Sequence, residues 1–366
     1  MTAFYLVMNA GSSSVKFQVF AADDSLAPLV KGQVAGIGTD SRLSVNHNGA
    51  ITEAIPDIQT HHEALNLTVG WLKQNDFLSH IVAVGHRIVY GGKDFVAPLI
   101  LNANNLDDLE RFTPQAPLHQ PFALEAARTL ATLIEDIPQI GCFDTAFHAN
   151  HDPLYKVYAL PSQLREQGIC RYGFHGLSYE WIAKRLREDY PEVAAGKVVV
   201  AHLGSGASVC ALHDGRSIDT SMGFTALDGL PMSSRCGSLD PGAVLFMIEQ
   251  LGMSPVDVRN TLYTQSGLRG LSGVSGDMQK LLQSTGAQEK LAVNYFSLKV
   301  AQFISMMTTS LGGIDALVFT GGIGENSPDI REKITERLTY LNLRETLVIP
   351  TNEECMMALH MKVLLS

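Results

Sequence analysis

Short apolar runs recur along the chain, each leading into a glycine turn: Tyr5–Met8 before Gly11, Ile81–Val84 before Gly85, Val198–Ala201 before Gly204, and Ala316–Phe319 before Gly321. Brief Val/Ile/Leu-rich runs closed by glycine predict buried strands rather than the middles of buried helices. Between them, three longer segments carry apolar residues at helical spacing: Pro121–Ile134, Ser178–Asp189 and Gln288–Leu311. Ser178 is expected to cap the second, with Trp181, Ile182 and Leu186 on its apolar stripe and Pro191 as its stop. The stretches Ala21–Asp24 and Gly36–Gly49 read as loops between hairpin strands. Strands mixed with covering helices make the chain α/β.

One long-range echo stands out. "MNAGSSSVKFQVF" and "AHLGSGASVCALHDG" both read as strand, glycine-serine turn, strand, and Gly11 and Gly204 lie 193 positions apart (204 − 11) in a chain of 366 residues. Two similar halves, each opening with a turn sized for a phosphate, explain the echo. Length agrees, since about 150 residues per domain predicts two domains and a cleft between them.

Composition narrows the functional classes. Hydrophobic residues at 46%, charged residues at 17% and 32 glycines fit a globular protein rich in tight turns. A formal charge of -10 argues against general attraction to nucleic acid or anionic membranes, both of which need clustered Lys and Arg. Any anionic substrate must therefore be captured locally. The five cysteines contain no C-x-x-C pair and are odd in number, so no disulfide framework is expected and the setting reads as reduced and cytoplasmic. The N-terminal run Phe4–Met8 is about a third of a membrane span, without a basic leader.

Three turns follow buried-type strands. In Asn9–Lys16, backbone N–H groups and the hydroxyls of Ser12, Ser13 and Ser14 can converge on an anion, with Lys16 adding a compact positive charge. The same stretch alone also reads as a serine-rich hairpin turn whose hydroxyls satisfy the backbone. It is not a P-loop, lacking G-x-x-x-x-G-K-[ST] and being followed by a strand pattern. His202–Ser208 supplies a second turn, in which Ser208 adds a hydroxyl, and Thr320–Ser327 a third, expected to lead into a helix capped by Asn326 or Ser327. Arg87 in "GHRIVYGG", after an apolar strand, and Arg235 in "SSRCGSLDP" read either as catalytic groups or as partners of carboxylates at a sheet end. His175 beside Phe174 reads as a packing residue or a catalyst, and Met222, Met232, Met306 and Met307 as core.

In order along the chain, "NAGSSSVKF", "HRIVYGG", "FDTAFH", "RYGFHG", "AHLGSGASV", "RCGSLDP", "TGGIGEN" and "IPTNEE" closely resemble the acetate kinase family of acyl-phosphate-forming kinases. The resemblance implies a duplicated two-domain α/β fold of the actin, heat-shock chaperone and sugar-kinase type (ribonuclease H-like) with a central cleft. The domains expected are 1–148 together with a C-terminal helix over 354–366, and 149–353 carrying the nucleotide site. It also implies reversible, in-line, Mg²⁺-dependent transfer of the γ-phosphoryl group of ATP to a short carboxylate, with ADP as the other nucleotide, Mn²⁺ as a substitute metal, and a homodimer.

Residue by residue, the resemblance assigns catalysis to Asp144, Arg87, Arg235 and His175, with His175 and Arg235 stabilising the transition state. Arg87, Val89, Leu118 and Phe174 match the acyl-substrate positions. Ser12, Ser14, Lys16, His202, Gly204, Ser205, Gly206, Asp277, Met278, Gly322, Ile323 and Asn326 match the ATP positions. Asn9, Asp144 and Glu353 match the magnesium positions, with Glu354 the alternative to Glu353. Four positions depart from the family: Ser205 stands where Asn is usual, Ala226 where Pro is common, Ser238 where Asp is expected and Gln279 where Arg often lies. Ala226 leaves room for a longer acid, so a propionate or butyrate kinase is the alternative within the class. An ATP-gated clamp without phosphoryl transfer is the alternative outside it.

Overall fold

The computed structural model describes residues 3–366; Met1 and Thr2, where the first expected domain begins, lie outside the described residues. The chain divides into two compact units, residues 3–146 with Asn352–Ser366, and Phe147–Thr351.

The first unit is built on eight strands: β1 (Phe4–Gly11), β2 (Ser14–Ala21), β3 (Pro28–Ala35), β4 (Arg42–His47), β5 (Ala50–Ala54), β6 (Ile81–Ile88), β7 (Leu99–Ile100) and β8 (Gln139–Phe143). They are ordered β5-β4-β3-β2-β1-β6-β8-β7. β1 and β2 form a hairpin closed at Gly11 and Ser14, whereas β1, β6 and β8 run parallel. The serine-rich stretch is thus a hairpin turn in geometry. Gly36–Gly49, expected as a loop, contains β4, whose Leu43 and Val45 alternate into the core.

Two helices, His61–Gln74 and Gln120–Leu133, cover one face of this sheet, burying Leu6, Met8, Val15, Phe17 and Val84 beneath Leu65, Leu72 and Leu130. The first helix starts at a capping box: Thr60 Oγ1 accepts from Glu63 N–H, and Glu63 Oε2 accepts from Thr60 N–H. The C-terminal helix Glu353–Leu365 packs on the opposite face, against β1, β2, β6 and β8. Gly85 permits this, because a Cβ there would lie 2.6 Å from Met361 Sδ.

The second unit carries β9 (Lys197–Leu203), β10 (Ala207–His213), β11 (Arg216–Thr220), β12 (Ala316–Thr320) and β13 (Glu345–Val348), ordered β11-β10-β9-β12-β13. This repeats the β3-β2-β1-β6-β8 order of the first unit, with the same antiparallel hairpin followed by two parallel strands. The sequence echo therefore marks two sheets of one topology. One face carries the helix Gly176–Asp189 over Val198, Val200, Cys210 and Val318; the long helix Ala287–Leu311 also packs on this sheet.

Local expectations fail at three points. The helix after His175 begins at Gly176, with His175 itself as the N-cap in a left-handed conformation (φ 58°), so Ser178 lies inside the helix and does not cap it. "GGIGEN" itself forms the helix Gly321–Asn326, with Thr320 before it, while Ser327 stands, as expected, at the N-cap position of the following helix Pro328–Thr335, without a side-chain capping bond. Met306 is 45% exposed, on the solvent side of the long helix, while Met307 is buried.

Candidate active site

In a sheet with parallel central strands, side chains just past the carboxyl ends of those strands converge on the ligand. Arg87 is the penultimate residue of β6, and Asp144 follows β8 directly, with its N–H donating to Ile88 O at 3.0 Å. The guanidinium meets the carboxylate side-on: Nε donates to Oδ1 at 3.0 Å and Nη2 to Oδ2 at 2.7 Å. Nη1 donates to Glu353 Oε2 at 2.6 Å, from the first turn of the C-terminal helix. Three of five guanidinium N–H groups are engaged, which leaves two for a ligand.

Asn9 and Lys16 are cross-strand partners, so they share a face of the sheet, the one covered by the C-terminal helix. Burial pushes the Glu353 carboxyl up to about 7; Arg87 and Lys16 pull it down, while Asp144 and Glu354 push it further up. Three carboxylates thus crowd around Arg87. Among the described residues no group of three His, Cys, Asp or Glu side chains is arranged to hold a metal ion by itself, so a cation here would take most of its oxygens from water and phosphates, as Mg²⁺ does. Val89 is buried just past β6, Leu118 is half-buried ahead of the helix Gln120–Leu133, and Ser12 is exposed in the β1–β2 turn with Ser14 half-buried at its end.

In the second unit, His175 Nδ1 lies 2.8 Å from Ser208 Oγ, and its ring stacks on His202 with centroids 4.4 Å apart. His202 Nδ1 lies 2.8 Å from Ser178 Oγ, which also meets Thr351 Oγ1 at 2.8 Å. This is why Ser178 does not cap the helix. Ser208, expected to offer its hydroxyl from the glycine turn, is fully buried behind that turn and holds His175 instead. Gly206 fills the gap between the two groups assigned to the phosphoryl: a Cβ there would lie 2.9 Å from Arg235 Nη2 and 3.0 Å from His175 Nε2. Arg235 Nη1 donates to Ala226 O at 2.7 Å.

Beside this cluster lies a cavity of about 750 Å³, lined by Gly204, Ser205, Asp277, Met278, Gln279, Gly322, Ile323 and Asn326 among others. Seven of the twelve residues expected to bind ATP share that one cavity, together with the departure Gln279. Glu325 is a residue the sequence did not single out. Its Oε1 accepts from Gly321 N–H at 2.9 Å and from Thr351 N–H at 3.1 Å, tying the glycine helix to the segment after β13.

A second unassigned cluster lies behind His175. His148 Nε2 is 3.0 Å from Phe174 O, and a carbonyl only accepts, so Nε2 carries the proton and Nδ1 is an acceptor. Ser217 Oγ, 2.7 Å from that Nδ1, must donate to it, and so receives the Nε2 proton of His151 at 2.6 Å. Burial lowers the His148 pKa to about 4 and that of His151 to about 2, so both rings are neutral. This directed chain pins the carbonyl that precedes the left-handed His175. The only sequence signal was the polar cluster "FDTAFH".

The Acetokinase family profile matches residues 4–347. The chain belongs to the acetokinase family. It is 46% identical to an acetate kinase of Nitrobacter hamburgensis, over 97% of this chain and 94% of that one, and 42% identical to an acetate kinase of Rhizobium meliloti, over 99% and 98%. Among solved structures, a propionate kinase from Francisella tularensis superposes with a TM-score of 0.93 at 34% identity, covering 98% of each chain. The acetate kinase of Porphyromonas gingivalis superposes at 0.88 and 30% over the whole of both chains. The two-sheet α/β architecture is that of acetokinases.

Proposed function

We propose that this acetokinase transfers the γ-phosphoryl group of ATP reversibly to acetate, giving acetyl phosphate and ADP. The observation that carries this reading is the end-to-end likeness to acetate kinases, with the family's motif residues at the carboxyl ends of parallel strands. Acetate is ionised at neutral pH, so the reaction needs no strong general base. It needs two anions brought into line and charge on the moving phosphoryl neutralised. Arg87 orients the acid through its two remaining N–H groups, held in place by Asp144 and Glu353. Arg235 and His175 stabilise the equatorial oxygens, and Gly206 keeps the space between them clear for the phosphoryl. The cavity at Gly322–Asn326 takes the nucleotide, while Ser12, Ser14 and Lys16 meet its phosphates. Val89 and Leu118 in the first unit and Phe174 in the second are the residues assigned to the methyl group. Asn9, Asp144 and Glu353 would hold Mg²⁺, which would supply charge neutralisation on the phosphates.

Hydroxylamine trapping tests this: ATP, Mg²⁺ and acetate should yield acetohydroxamate, and no product in either direction of reaction would refute it. A propionate kinase is the second reading, favoured by Ala226 and by the 0.93 superposition on the Francisella enzyme. One methylene is worth about 1–3 kcal/mol in such a pocket, so comparing kcat/KM for C2, C3 and C4 acids decides between them.

A homodimer is part of the proposal. Leu245 and Phe246 on the helix Pro241–Glu249 are 55% and 54% exposed, next to exposed Leu239, Leu251 and Val256, an apolar surface suited to a second copy. Sedimentation should give twice the chain mass. No described helix is long and apolar enough to cross a membrane, and a cytoplasmic location is proposed from the free thiols of all five cysteines.

A further inference from the structure

The alternation of β2, β3 and β4 divides the outer part of the first sheet into two unlike faces. Val15, Phe17, Val19, Val30, Val34, Leu43 and Val45 point into the core. The register places Lys16 opposite Gln33 and then Ser44, Gln18 opposite Lys31 and then Asn46, and Arg42 opposite Ala35 on the other face. The C-terminal helix covers this face mainly over β1, β2, β6 and β8. What it leaves open is a groove of about 510 Å³, edged by Glu354 on one side and Ile51 on the other.

The groove is polar and cationic in a chain whose formal charge is -10. Lys16, Lys31 and Arg42 line it against the single carboxylate Glu354. Neither Lys31 nor Arg42 forms an ion pair among the described residues, although the chain has acidic groups to spare. Gln18 adds a neutral donor and acceptor to the same lining. Its side chain lines the groove, is only 7% exposed, and makes no hydrogen bond to the protein among the described residues. Its amide is therefore free to bond to water or to a ligand in the groove.

We propose that this groove binds a short linear oligophosphate of about three phosphate groups. The cations sit on three adjacent strands and in three successive register rows, Lys31 and Arg42 being four residues apart along the strands and one strand spacing across, so their backbones span roughly 14 Å, which the long side chains shorten by reaching inward. A single phosphate or a compact tricarboxylate cannot touch all three. Arg42 offers a fork for phosphate oxygens, the two lysines offer point charges, and Gln18, Gln33, Ser44 and Asn46 offer neutral donors. The one aromatic residue in the lining, Phe17, is 2% exposed, which leaves no ring for a base to stack on; recognition is of phosphate alone. Net negative charge disfavours a long polymer.

Calorimetric titration of the full chain with inorganic tripolyphosphate, without added metal and at low salt, tests this independently of kinase activity. Wild type should bind one equivalent, saturating ADP, which shares Lys16, should weaken that binding without abolishing it, and the double variant Lys31→Ala, Arg42→Ala should bind at least tenfold more weakly while keeping its KM for ATP within twofold. Unchanged binding by the double variant overturns the proposal. So does complete loss of wild-type binding under ADP, which would assign the tripolyphosphate to the nucleotide's own phosphate site. Orthophosphate or citrate binding as tightly as tripolyphosphate overturns it too. Failure of the acyl-phosphate assay leaves this readout untouched, so the two proposals stand or fall separately.

Discussion

Arg87 and Asp144 form a two-bond pair, 3.0 Å and 2.7 Å, between the ends of adjacent parallel strands, with Asp144 only 1% exposed. The guanidinium is both the partner of Asp144 and its link to Glu353. Removing one member of such a pair leaves buried carboxylates uncompensated, at a cost of about 3–5 kcal/mol. Arg87→Ala should therefore lose that much stability in urea unfolding and at least 100-fold in the hydroxamate assay. Arg87→Lys should recover part of the stability but little activity, because an ammonium cannot make the parallel pair and still orient a carboxylate.

Gly206→Ala separates packing from chemistry. The atoms nearest the added methyl are the tips of the Arg235 and His175 side chains. Both side chains can move aside, so the melting temperature should stay within a few degrees while kcat falls more than tenfold. A variant with full activity would remove Gly206 from the phosphoryl space.

Ser217→Ala breaks the chain behind His175. His148 Nδ1 loses its donor and His151 Nε2 its acceptor, and a buried polar group left unpaired costs about 1–3 kcal/mol. The expected result is a lower kcat at little-changed KM for ATP and faster amide exchange at His175, with Ser217→Thr restoring both. Loss of stability with unchanged kcat would make the cluster purely structural.

Acid should unfold the protein early. His86, 1% exposed with Nε2 2.8 Å from Gln139 Oε1, and His148 each have a pKa lowered to about 4 by burial, against 6.5 for a free imidazole. The unfolded chain therefore binds more protons between pH 6.5 and 4. Their contribution is fully present above pH 6.5 and is lost as pH falls toward 4, about 1.4 kcal/mol per unit for each group. Unfolding free energy measured in urea across that range should drop steeply, and His86→Gln should flatten the slope by one proton.

Ala226→Pro tests acid length. Ala226 is 6% exposed and its carbonyl holds Arg235, a contact proline preserves. The variant should shift the C3-to-C2 ratio of kcat/KM toward acetate by about tenfold or less. No shift in the ratio would place Ala226 outside the acyl pocket.

Much of the fold is legible locally, because a buried strand and a glycine stop are written in adjacent residues. The four apolar runs all became strands, and the three helical segments appeared within two residues of their expected limits. Ser178 shows where local reading ends: its position suits a cap, yet His175 takes that place and Ser178 turns to His202 and Thr351, the latter 173 positions away. β4 was missed because one strand of half-polar alternation looks like a loop until a partner strand fixes its faces.

The sequence by itself determined the class of fold, its internal repetition and the family, since hydrophobic runs, turn residues and ordered motifs are properties of the chain read in one direction. Only the tertiary structure decided which charges meet. Arg87 reaches Glu353 across 266 positions, Ser217 links two imidazoles, and Lys16, Lys31 and Arg42 share a face because strand register aligned them. Such pairings depend on which strands lie side by side and which faces the helices leave open, and those are settled by packing of the whole unit.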